Sequence, residues 1–141
     1  MRRLILLLAV CASPAAFAQR YVDVKCPPAF DTSLKLAGGY STFSPASAAA
    51  GGAEVPTTPA ALAGAEVYVG DPTKTPQLQE EQGSKGSQRI TWYLPGPKII
   101  ACRYEGTERR IYRMIYPPAN ECSALRTPPA GKPLIVSCRT R

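Results

Sequence analysis

The sequence predicts a mainly β protein: a single small antiparallel sheet or sandwich, held by two disulfides, with at most one short helix. Three observations carry that expectation. Apolar and polar residues alternate along several short runs, which is the period of a half-buried strand. Fifteen prolines and eleven glycines punctuate the 141 residues, too often for long helices. Of the five cysteines, four follow residue 20. An even number in a short exported chain reads as a disulfide framework.

Export is written in residues 1–18. Arg2 and Arg3 open the chain, and Leu4 to Ala12 is a nine-residue apolar run. That is the length of a signal-peptide core and well under the ~20 residues that a membrane span needs. Pro14 breaks the run, and Ala16-Phe17-Ala18 supplies small residues at the two positions that define a cut after Ala18. Acylation of Cys11 is the rival outcome; the bulky Val10 before it argues the other way. The expected mature chain, residues 19–141, is one β-rich domain, periplasmic or secreted, with no transmembrane segment left after cleavage. The leader takes Arg2 and Arg3 of the 17 basic residues with it, leaving 15 against 10 acidic ones.

Tyr21 to Cys26 alternates and reads as the first strand. Pro27-Pro28 ends it, because neither proline has an N–H to give to a ladder. Leu34-Lys35-Leu36 reads as a second short strand, stopped by Gly38-Gly39. From Ser44 to Ala65, nine alanines, three glycines and three prolines fill 15 of 22 positions. Such a composition builds no packed face, so residues 44–65 are expected to form a flexible Ala/Pro/Gly loop. Alternation resumes at Glu66-Val67-Tyr68-Val69 and stops at Gly70-Asp71-Pro72. Thr75-Pro76 resembles a helix N-cap with proline at the first helical position, which predicts a short helix over Thr75–Gln82, closed by Gly83. Gly83 to Ser87 has a superficial likeness to a phosphate loop but lacks its spacing and its following helix.

Ile90 to Tyr116 is the richest stretch. It holds the only tryptophan, and it predicts three successive strands joined by turns at Pro95-Gly96-Pro97 and Glu105-Gly106-Thr107-Glu108. Ile100, Cys102 and Tyr104 share one face; Ile99, Ala101 and Arg103 share the other. Placing Ile111 opposite Cys102 keeps the return strand's apolar side on the Cys102 face. After Pro117-Pro118, two strands, Glu121 to Leu125 and Leu134 to Cys138, flank a Pro-rich loop. Pairing them about Ala130 sets Cys122 opposite Cys138. Three connectivities are open to four cysteines; this hairpin favours Cys122–Cys138, which leaves Cys26–Cys102.

The order of Cys26-Pro27, Gly70-Asp71-Pro72, Trp92, Cys102-Arg103-Tyr104-Glu105-Gly106-Thr107, Pro117, Cys122 and Cys138 resembles a family of small exported proteins of Gram-negative bacteria. The resemblance spans most of the mature chain, with the Ala-rich loop as an insertion. It implies a periplasmic or secreted β-rich domain and supplies no activity and no catalytic residues.

Several chemistries fall away. The chain has no histidine, which removes Ser-His-Asp and Cys-His nucleophile sites. The cysteines lack the paired spacing of a zinc site. No catalytic, cofactor-binding or metal-ligating residue emerges, no cofactor is implied, and the chain is not expected to be an enzyme. Charge offers the one lead. Residues 98–141 hold nine basic and three acidic residues, whereas residues 19–97 hold six and seven. Arg103, Tyr104, Arg109, Arg110, Tyr112 and Arg113 fall on one hairpin, and arginine forks with flat tyrosines suit an anionic partner. The expected function is a small disulfide-stabilised binding protein, a periplasmic inhibitor or partner-binding module. The alternative is an envelope-associated structural protein whose basic hairpin binds anionic cell-envelope polymers. Nucleic acid is excluded as a partner by compartment.

Overall fold

A computed structural model describes residues 20–45, 54–71, 74, 76–93, 96 and 98–140. The expected leader with Cys11, the core of the Ala-rich loop and most of Pro95-Gly96-Pro97 lie outside them. Ten strands are present: β1 (Arg20–Cys26), β2 (Ala29–Phe30), β3 (Tyr40–Phe43), β4 (Ala60–Val69), β5 (Gln77–Leu78), β6 (Arg89–Trp92), β7 (Lys98–Tyr104), β8 (Arg110–Ile115), β9 (Ala119–Leu125) and β10 (Leu134–Thr140). They form two sheets, ordered β1-β10-β9-β6 and β2-β4-β7-β8-β3, with β5 added alongside β4. Every strand pairing is antiparallel. No helix occurs among the described residues.

The two sheets pack face to face because each strand puts every second side chain inward. Val24, Val136, Ala124 and Trp92 from the first sheet meet Val67, Ile100, Ile111 and Ile115 from the second in one core. Cys26 is bonded to Cys102, tying β1 to β7 across the core, and Cys122 to Cys138, tying neighbouring strands β9 and β10. Cys122 lies opposite Cys138, as a hairpin symmetric about Ala130 predicts, and Ile111 opposite Cys102, as apolar alternation predicts. Strand β7 is buried on both faces. Ile100, Cys102 and Tyr104 point into the main core, while Ile99 and Ala101 cluster on the other side with Phe43, Tyr68 and Tyr112.

Four expectations need correction. Trp92 does not share a sheet with the hairpin that follows it: β6 pairs with β9, Trp92 opposite Cys122, and the chain crosses to the other sheet before β7. Leu34 to Leu36 is not a strand. Asp31 accepts hydrogen bonds from the Ser33 N–H (2.8 Å) and hydroxyl (2.6 Å), and Leu34 N–H reaches Asp31 O, so the chain turns there. Those Ser33 bonds, the hydroxyl's first, hold the Asp31 carboxyl below its ordinary range. The helix expected over Thr75–Gln82 is replaced by extended chain. Gln79 N–H donates to Val67 O and Gln82 N–H to Thr91 O, so these donors serve sheet edges instead of the preceding turn of a helix. Finally, the Ala-rich composition is extended well before Ala65: β4 begins at Ala60 and pairs with β2 and β7.

Candidate functional site

The arginine hairpin is the natural starting point, and strand alternation divides it. Residues paired across an antiparallel ladder share a face. Phe43 pairs with Arg110, and Tyr40 with Arg113. Arg110 and Tyr112 therefore lie on the outer face of the second sheet, and Arg113 on the inner face.

On the outer face, Glu66 is the centre. Its carboxylate accepts a hydrogen bond from Tyr68 Oη at 2.7 Å and from Arg110 Nε at 3.1 Å, and pairs with Arg103 Nε at 3.5 Å. Arg110, with a side chain only 7% exposed, also meets Glu108 at 3.5 Å and donates to Thr107 O. Burial first, then the bond to Glu66, pushes the Tyr68 phenol above its ordinary value. Two of the four arginines are thus bound to Glu66. Tyr112 packs edge-on against Phe43, ring centroids 5.3 Å apart.

Tyr104 lies in the main core, 2% exposed, its hydroxyl donating to Pro27 O at 3.1 Å. It offers no ring to a partner. Arg109 donates to Thr42 Oγ1 at 2.9 Å. Arg103 and Arg110 do border one cleft, of about 610 Å³, but Glu105 and Glu108 line the same cleft and offset their charge. The six hairpin residues thus form no common cationic surface, and the polymer-binding alternative has no such surface to rest on.

Arg113 leads elsewhere. Its guanidinium stacks over the Tyr40 ring, 5.6 Å from the centroid. Both line a cleft of about 450 Å³ at the side of the sandwich where β1 of one sheet stands beside β3 and β8 of the other. Lys25 and Lys35, both exposed, add two more cations. The cleft's carboxylate is Asp23, which accepts a hydrogen bond from Ser137 Oγ at 2.7 Å. Leu36, Tyr40 and Pro133 supply apolar surface. The Tyr40 hydroxyl accepts from the Lys25 backbone N–H at 2.9 Å and so holds β3 against the edge of β1. The disulfide at the adjacent Cys26 fixes the same end of β1 to β7.

Of the residues singled out from sequence, only Arg113 belongs to this cleft. Lys25, Lys35 and Tyr40 carried no signal. Lys25 stands at a polar position of an alternating strand, which ordinarily means solvent, and only the folded chain brings it near Arg113. No cluster of metal-ligating side chains occurs among the described residues. No helix among them is long and apolar enough to cross a membrane.

No curated protein and no solved structure matches the chain. A family model does: that of the type VI secretion system Tli immunity protein, over residues 57–139, from just before β4 to within β10. The match spans more than half of the chain and every strand of the two sheets except β1, β2 and β3. The chain belongs to the type VI secretion system Tli immunity protein family.

Proposed function

We propose that this protein is exported to the periplasm and there binds and neutralises an effector toxin delivered by a type VI secretion system. The family match carries this proposal. The chemistry of the chain is consistent with it. Two disulfides belong in an oxidising compartment, and Arg2-Arg3 followed by the Leu4–Ala12 run reads as an export leader. The protein acts by occupancy. A rigid sandwich presents a preformed surface, so little ordering entropy opposes docking. The exposed cations of the cleft flanked by β1, β3 and β8 support a docking role for that side.

Protection is the test. Type VI effectors of the same organism are directed one at a time to the periplasm of a sensitive host, with and without this protein. The expected result is survival against one effector, and co-purification of that effector with the oxidised chain. Survival unchanged against all of them, with no effector retained, would sink the proposal.

A further inference from the structure

Resting on the immunity reading, we infer that the cleft beside β1 receives an acidic, extended segment of the effector, laid along the β1 edge. Charge is the first ground. Lys25, Lys35 and Arg113 line it against a single carboxylate, Asp23, which keeps its charge while accepting from Ser137 Oγ, so cations outnumber carboxylates three to one in the lining. Carboxylates of an incoming chain meet three cations in a concavity, where field lines concentrate.

Backbone geometry is the second ground. β1 ends its sheet, and among the described residues no strand pairs with its outer edge. The Lys25 N–H points to that edge, since it donates to Tyr40 Oη. Backbone groups of an antiparallel strand alternate sides, so those of Asp23 share that direction. An extended segment can therefore add main-chain hydrogen bonds N-terminal to the Tyr40 contact. Its alternate side chains then fall toward the cations and toward Leu36 and Pro133.

Position in the sequence is the third ground. Lys25, Lys35, Leu36 and Tyr40 precede the segment that the family model matches, whereas Arg113 and Pro133 lie within it. The cleft joins the family's frame to a part of the chain outside the match, a suitable place for choosing one effector over another.

The test uses the oxidised mature chain and three fluorescein-labelled hexapeptides: Glu-Leu-Glu-Tyr-Glu-Val, the same with Gln for Glu, and the same with Lys for Glu. Anisotropy at low salt is expected to show binding of the acidic peptide. The Gln and Lys peptides should bind at least about tenfold more weakly, the scale of one ion pair shielded from water. Lys25→Glu with Lys35→Glu, both exposed positions, should reduce acidic-peptide binding by about tenfold or more. Adding Arg113→Glu should abolish it, while Arg103→Glu on the outer face leaves it unchanged. Equal binding of the acidic and Gln peptides, no binding of the acidic peptide, or an undiminished double variant would overturn the assignment. In the periplasmic assay, loss of protection by the double variant supports the cleft. Protection at the wild-type level by that variant overturns the cleft and leaves the immunity role standing. Failure of the wild type itself counts against the immunity role, and the peptide result then decides the cleft alone.

Discussion

Glu66 shows how much one side chain can organise. It serves Tyr68, Arg110 and Arg103 at once, with a side chain only 18% exposed. Glu66→Gln keeps the shape and removes the charge, leaving Arg110, 7% exposed, without its closest carboxylate. A cost of about 1.5–3 kcal/mol is expected in urea unfolding, the range for hydrogen bonds to charged groups. Arg103→Ala cuts the more solvent-exposed arm and should cost under about 1 kcal/mol. Equal costs would mean that the network is not centred on Arg110. Lys98 behaves differently. It is fully buried, its ammonium donates to Ala119 O, and burial pulls its pKa below the ordinary 10.5. Between the folded and unfolded values the unfolded chain binds the extra proton, so stability climbs as pH rises through that window. Lys98→Met removes the climb. The variant should be the more stable at neutral pH, with its advantage shrinking as pH approaches ~10.5, read from urea midpoints across pH.

Among the elements, the two disulfides differ in kind. Cys26–Cys102 spans 76 residues and joins the sheets; Cys122–Cys138 spans 16 within one sheet. The chain-entropy relation gives about 4.5 kcal/mol for the first and about 3 kcal/mol for the second. Replacing Cys26 and Cys102 by serine should therefore lower the thermal midpoint further than the same change at Cys122 and Cys138. The pairing was legible in the sequence because a symmetric hairpin about Ala130 needs only local counting. The Cys102–Ile111 register was legible for the same reason: a one-residue slip would turn Ile111 away from the core. The partner of β6 was not. Trp92 meets Cys122 across thirty residues of chain, and alternation marks a face without naming the sheet. Strands β2, of two residues, and β3, of four, are too short for periodicity to register. The false helix had a real cap signal at Thr75-Pro76, but sheet-edge carbonyls at Val67 and Thr91 claimed the donors a helix needs. As for the candidate site, consecutive Arg109 and Arg110 already imply opposite faces. A hairpin dense in arginine is therefore not a surface dense in arginine.

At the scale of the molecule, the boundary of the family match and the boundary of the fold differ. Residues 57–139 omit β1, β2 and β3. Yet Val24, Cys26 and Phe30 are buried in the core, and β1 pairs with β10 at seven positions from Arg20 to Cys26. Cutting the chain to 57–139 strips that partner from β10, uncovers one side of Leu134 and Val136, and leaves Cys102 without its disulfide. A newly exposed apolar edge is an invitation to aggregate. The shortened segment is expected to lose near-ultraviolet circular dichroism and cooperative melting, whereas residues 19–141 keep both. A cooperative melt of 57–139 on its own would make β1 to β3 an appendage laid on a self-sufficient frame. The expected failure has a functional corollary. The strands outside the match then belong to the same rigid body as those within it, so the cleft between them has a fixed shape. Lys25 and Arg113 come from opposite sides of the match boundary and can present one charge pattern only because β1 is bonded, paired and packed into the body it borders.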